Sequence, residues 1–212
     1  MTEEEWLACA QPEQIFRSMQ AGGSVRKRRL FAVACCRLVF DWLIDNRSRE
    51  AVNVAESFAD GVASFHQLDR AYDHAFRAQG VVGGEPARAA TRVALERLTD
   101  ADLSDLSARI ALSFGAQGGT EWCECRKLQA DIVRDIFGNP FRPVTFSPDW
   151  CTGAAVALAR TMYESRDFSA MPILADALQD AGCDEDTVLE HCRRPGEHVR
   201  GCWVVDRVLG RE

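Results

Sequence analysis

The chain has 212 residues, of which 47% are apolar and 27% charged, and its formal net charge is −7. That length suits one large domain or two small ones with a substantial core, and the composition excludes a disordered chain. The acidic balance disfavours non-specific binding of nucleic acid or of an anionic membrane. No apolar run approaches the roughly 20 residues that span a bilayer, since the longest, Leu30 to Leu43, is broken by Arg37 and Asp41.

The first residues, Met-Thr-Glu-Glu-Glu-Trp, are acidic and lack the apolar stretch of a secretory signal, so a cytoplasmic location is expected. Thr2 and Glu5 have the spacing of a capping box at the start of a first helix. Pro12 suits the first turn of a second, which carries Ile15, Phe16 and Met19 and stops at Gly22-Gly23. Ser24 can cap a third, predicted to run to about Asp45. Its apolar residues cover more than one face, which marks a central, heavily buried helix.

Ser48 can cap a helix through Ala51, Val52, Ala55 and Phe58 that ends near Gly61. Ser64 begins another with Phe65, Leu68, Tyr72, Ala75 and Phe76 on one side. Gly80 to Pro86 reads as a loop. Helices follow at Pro86 to Leu98, at Ser104 to Phe114 before Gly115 and Gly118-Gly119, and at Glu121 to Phe137 behind a Thr120 cap. Residues 139–146 cannot be helical, because Pro140 and Pro143 each push the preceding residue into extended backbone. Beyond them, helices are predicted at Pro148 to Glu164, Pro172 to Ala181, Glu185 to Arg193 and Gly201 to Leu209, with Asp184 as a cap.

The predicted fold is therefore all-α: an irregular multi-helix bundle or array of about nine to eleven short helices. It forms a single helical domain over 1–212, divisible into subdomains 1–138 and 147–212 by the proline-rich link. That link is either a hinge or a loop packed on its own core.

Three segments could carry chemistry. The densest is His191-Cys192-Arg193-Arg194-Pro195-Gly196-Glu197-His198-Val199-Arg200-Gly201-Cys202-Trp203, which holds two of the four histidines and two of the nine cysteines. Zinc favours thiolate and imidazole in a tetrahedron. One turn of helix would bring His198 and Cys202 to the same side, and the Pro-Gly turn could fold Cys192 back toward them. A fourth ligand would be His191, Cys183 or a residue elsewhere. Cys183 fits poorly, because a helix at 185–193 sets it about 12 Å from Cys192 at 1.5 Å per residue. Against this stands packing of the cysteines as small apolar residues, with no paired C-x2-C motif.

The same residues offer a thiol nucleophile, Cys192 or Cys202 beside His198, without a family-type signature around it. The other cysteines suggest core packing: Cys35-Cys36 are adjacent in an apolar helix, and Cys123 and Cys125 point apart on theirs. An odd cysteine count without an export signal points to free thiols or metal ligands ahead of disulfides.

The second segment is Arg26-Lys27-Arg28-Arg29. Its cations at a helix start could receive phosphate or carboxylate, although pairing with the abundant acids is the favoured alternative. The third is the link, where Phe137, Phe141, Arg142 and Phe146 could anchor a partner or pin the loop onto the core. No nucleotide-binding loop, EF-hand or di-iron motif is present. The carboxylates at Asp176, Asp180, Asp184, Glu185 and Asp186 match none of these.

The stretches MTEEEW (1–6), RLFAVACCR (29–37), RDIFGNPFRPV (134–144), MPILADALQDAGC (171–183) and HCRRPGEHVRGCWVVD (191–206) resemble a family of predicted proteins abundant in planctomycete bacteria. The likeness leaves Phe65 to Gly119 largely unmatched, and the C-terminal motif is its most specific part. It implies a bacterial cytoplasmic protein that forms one unit from Met1 to Glu212, and it carries over no activity, ligand or catalytic residue.

The preferred functional reading from sequence is a non-enzymatic helical interaction or adaptor module, with another protein or a second copy as partner and no cofactor expected. The alternatives are a zinc-binding protein using Cys192, His198, Cys202 and His191, and a thiol-dependent enzyme.

Overall fold

The computed structural model describes residues 1–19, 23–80, 84–115 and 119–211. Gly22 of the first predicted stop, Gly83 of the loop before Pro86 and Gly118 of the stop before Thr120 lie outside them. Among the described residues there are twelve α-helices and no strand, so the all-α expectation holds. Contacts divide the chain into two compact units, Met1–Val133 and Arg134–Glu212. The division falls inside a helix and not at the proline-rich link.

The first unit holds α1 (Glu3–Ala8), α2 (Pro12–Ser18), α3 (Val25–Arg37), α4 (Asn46–Ala59), α5 (Phe65–Gln79), α6 (Glu85–Val93), α7 (Asp100–Phe114) and most of α8 (Thr120–Phe137). Local chemistry sets most helix starts. Glu5 N–H donates to Thr2 Oγ1 at 3.2 Å while Thr2 N–H donates to Glu5 Oε2 at 2.8 Å, the reciprocal pair of a capping box. Ser24 accepts from Lys27 N–H at 3.3 Å, and Ser64 and Gln67 repeat the capping box on α5. Leu30 through Cys36 of α3 are all buried, as its all-round apolar pattern requires.

Four predicted boundaries in this unit move. The helix expected to reach Leu98 ends at Val93, and the one expected from Ser104 starts at Asp100, where Thr99 and Asp102 form a capping box. The third helix ends at Arg37, not Asp45: Leu38 and Val39 donate to Cys35 and Cys36 carbonyls in tighter i→i+3 bonds, and a 3-10 turn follows at Phe40–Trp42. This kink buries both Val39 and Leu43. It also frees Asp45 to cap α4 by accepting from Arg47 N–H at 2.8 Å, so Ser48 lies inside that helix, buried.

The second unit continues α8 through Phe137 and adds a 3-10 turn at Pro148–Trp150, then α9 (Gly153–Ser165), α10 (Met171–Asp180), α11 (Asp186–Arg193) and α12 (Trp203–Val208). Pro148 starts only the short turn, and Thr152 caps α9 by accepting from Ala155 N–H at 3.3 Å. The N-cap position of α11 is Glu185, which makes no side-chain cap, so the Asp184 cap is not formed. The core is built from Trp150, Met162, Tyr163, Leu174, Leu178, Val188, Cys192, Val204 and their neighbours. Val144 and Phe146 of the link pack against it, and Phe146 meets Trp150 edge-on at 5.1 Å.

Candidate metal centre

All the residues of this site belong to the second unit. The last turns of α8 are buried on every side from Ile132 to Ile136, and Asp135 stands among them 0% exposed. An isolated carboxylate there would be costly, so its partners matter. Val199 N–H donates to Asp135 Oδ2 at 2.9 Å. Asp135 Oδ1 lies 2.6 Å from His198 Nδ1 and 3.2 Å from His191 Nε2. His191 Nε2 also lies 3.2 Å from Cys202 Sγ, which is 3.8 Å from His198 Nδ1. One ligand atom from each of the four residues falls within 4.8 Å of all the others.

Each side chain is aimed by a local feature. His191 is in the last turn of α11, 7% exposed, on the face that buries Val188. The segment 194–202 then turns through Gly196 and Gly201. Arg200 holds that segment to the end of α9, with its Nε–H donating to Tyr163 O at 2.7 Å and its guanidinium 4.9 Å over the Tyr163 ring. Cys202 occupies the N-cap position of α12, where its N–H donates to Val199 O at 2.9 Å and its carbonyl accepts from Asp206 N–H at 2.8 Å. The two imidazoles meet edge-on at 5.0 Å, and Trp203 lies 5.2 Å from His191.

Gly138 ends α8 with φ +71°, and a Cβ there would lie 3.3 Å from Trp203 Cγ. Its bare backbone therefore lets Trp203 close over the site. Gly138→Ala should cost about 1–2 kcal/mol through left-handed strain and displacement of that ring. A thermal melt checks this, and an unchanged midpoint would refute it.

The arrangement distinguishes between two chemistries. In a nucleophilic triad the carboxylate orients one ring nitrogen while the other nitrogen faces the thiol. Here Asp135 and Cys202 approach the same nitrogen, His191 Nε2. His198 likewise turns Nδ1 inward, and its buried Nε2 has no hydrogen-bond partner among the described residues. The polar atoms thus converge on one point and do not form a relay. Bonds of about 2.0–2.3 Å to zinc would place tetrahedral ligand atoms roughly 3.3–3.6 Å apart, inside the 2.6 to 3.8 Å range of the four contacts found.

Electrostatics favour a divalent cation at that point. Burial raises the Asp135 carboxyl, but hydrogen bonds and charge from His191 and His198 outweigh it and hold it well below the usual carboxylate range. Burial lowers His191 against the smaller opposing pull of Asp135. Burial and the Asp135 charge push the Cys202 thiol well above its ordinary range. Ionised Asp135, a Cys202 thiolate and two neutral imidazoles would total −2 and cancel a divalent ion, leaving no net buried charge.

The sequence candidates fare unequally. His191, His198 and Cys202 come together, but Cys192 does not join them. It follows His191 by one residue, about 100° around α11, and packs into the apolar core, where burial pushes its thiol up to about 12. Asp135 takes the fourth position. The spacing of Cys and His residues gave no hint of it. Its visible sign in the sequence is a pair of charges, Arg134 and Asp135, set between the apolar Ile132-Val133 and Ile136.

Arg26, Lys27, Arg28 and Arg29 do not converge on an anion site, because successive helical residues point about 100° apart. Arg26 pairs with Asp60 at 3.1 Å, Arg28 pairs with Asp100, and Arg29 is buried against backbone carbonyls. On the link, Phe141 is 41% exposed and its N–H donates to Asn139 Oδ1 at 2.9 Å, with Arg142 exposed beside it. All nine cysteines are free. No described helix is long and apolar enough to cross a membrane.

No protein-family model, curated protein or solved structure matches this chain.

Proposed function

We propose that this is a zinc-binding protein in which Asp135, His191, His198 and Cys202 hold one ion in a closed, structural site. The observation that carries this reading is the convergence of four suitable ligand atoms, each within 4.8 Å of the others, from side chains packed inside the second unit. Thiolate and imidazole suit zinc better than magnesium or calcium. Four protein ligands leave no open coordination position, which is the mark of a structural zinc and not a catalytic one. The ion would fasten the 194–202 turn and the start of α12 to the end of α8 and the last turn of α11.

The test is elemental analysis of the full chain, purified without a polyhistidine tag and equilibrated with zinc. About one zinc per chain is expected, and a clearly substoichiometric value would overturn the reading. A cobalt(II) derivative should show a thiolate charge-transfer band. Binding must also displace the Cys202 proton, so affinity should rise at least about tenfold per pH unit through neutrality. A pH-independent affinity between pH 6.5 and about 8 would contradict Cys202 as a ligand.

The interaction-module reading keeps one supporting feature, Phe141 exposed beside Arg142 on the link. Nine free thiols support a reducing, cytoplasmic setting, in keeping with the planctomycete-type sequence resemblance.

A further inference from the structure

The first unit carries a cavity of about 310 Å³ formed by α5, α6 and α7. Arg88, Arg92 and Arg109 line it. Their carboxylate partners do not. Glu85 accepts from Arg88 Nη1 at 2.9 Å and from Arg109 Nη1 at 2.7 Å, Asp102 accepts from Arg92 Nη1 at 3.1 Å, and Asp105 pairs with Arg92 Nε and, at 2.7 Å, with Arg109 Nε. These acids brace the three guanidiniums from outside the lining. Among the described residues, the Nη2 groups of Arg92 and Arg109 have no protein partner, so they keep donors free for a ligand. A chain of net charge −7 thus gathers three cations, and no acid, on one concave surface.

Two aromatic rings share the lining. Tyr72 and Phe76 stand one turn apart on α5 with ring centroids 6.1 Å apart and planes 22° from parallel. Phe76 is 55% exposed, so a flat ligand can lie against it. Guanidiniums recognise phosphate through forked, charge-assisted bonds. The volume is at the small end of ligand sites, with space for one ring system and one anionic group.

We propose that this cleft binds a small phosphate monoester carrying a flat ring, the class to which aryl phosphates and nucleoside monophosphates belong. The phosphate sits on Arg88, Arg92 and Arg109, and the ring lies against Phe76 and Tyr72. The site is independent of the zinc centre.

The test is titration of the full chain, followed by calorimetry or amide NMR, with phenyl phosphate, adenosine monophosphate, inorganic phosphate and adenosine. At least one of the two ring phosphates should saturate the cleft, at least about tenfold more tightly than inorganic phosphate or adenosine. Arg88→Gln removes the most exposed of the three cations and should weaken that ring phosphate about tenfold with circular dichroism unchanged. Phe76→Ala should weaken the ring phosphate while leaving inorganic phosphate unaffected. Inorganic phosphate binding as tightly as both ring phosphates would overturn the aromatic half of the proposal. No saturable binding by any probe at millimolar concentration, or binding that neither variant alters, would overturn it entirely.

Discussion

Cys202→Ser should lower zinc affinity by more than about 100-fold, because loss of a mere outer-shell partner already costs 10–100-fold and here a ligand itself is removed. Serine keeps the size of the side chain and removes the soft donor. Asp135→Asn should do the same for a different reason, since it removes one of the two anions that balance the ion. The amide also disturbs the oxygen pair that accepts from Val199 N–H and meets His198 Nδ1. Cys192→Ala is the control. Cys192 is as deeply buried as Cys202, but it stands outside the four-atom cluster, so this variant should keep stoichiometric zinc. If Cys192→Ala loses the metal while Cys202→Ser retains it, the ligand assignment is wrong.

A zinc ion held at this site would make stability depend on the metal. At free zinc about a thousand times the dissociation constant, binding to the folded state alone adds roughly 4 kcal/mol. Chelation should therefore lower the thermal midpoint of the second unit's core in the unmodified chain and leave Cys202→Ser almost unmoved. Trp203, 5.2 Å from His191, supplies a fluorescence reporter beside the ligands.

The second large effect is expected at Arg29. This side chain is 1% exposed, and no carboxylate meets it among the described residues. Its Nη1 donates to the Val93 and Leu95 carbonyls and its Nη2 to that of Glu96, all at 2.8 Å, while the guanidinium lies 5.0 Å over the Phe58 ring. These carbonyls are at the C-terminal end of α6, where backbone acceptors lack helical partners and a cation is favoured. Burial lowers the Arg29 guanidinium to about 10, so it stays charged at neutral pH. Arg29→Met keeps much of the apolar stem but abandons three acceptors. The expected loss is about 3 kcal/mol, or roughly 10 °C in the melting of the first unit. Arg29→Lys should recover little, since a single ammonium does not reproduce the planar fork. Circular dichroism with urea unfolding measures both variants, and an unaltered transition for Arg29→Met would dismiss the capping role.

Helix identity was the most legible property of the sequence because its determinants act within four residues. Thr2 with Glu5, Ser24, Ser64 with Gln67, and Gly61 after α4 act through bonds between near neighbours, so their spacing alone conveys their role. Boundaries slipped where tertiary packing competed with that local code. Ser48 could cap in isolation, but Asp45 does so because the turn at 40–42 buries Val39 and Leu43 and sets the start of α4 earlier.

The candidate site was legible only in part. The motif His191 to Trp203 concentrates the right ligand types, and three of its residues meet. Two decisions remained outside its reach. Whether Cys192 faces the centre depends on the rotation of α11: aiming His191 at Asp135 turns Cys192, about 100° away, into the apolar core. The fourth member of the cluster is Asp135, 63 positions before His198, and no local periodicity can signal so distant a meeting. The sequence by itself determined a helical chain with capped starts and a cluster of metal-type residues near its end, because those properties are written in short-range hydrogen bonding and apolar spacing. Only the tertiary structure decided that a buried carboxylate completes the cluster and that the basic run at 26–29 is absorbed into capping and ion pairs. Burial made those choices: a charge removed from water must find its partner, however far along the chain that partner lies.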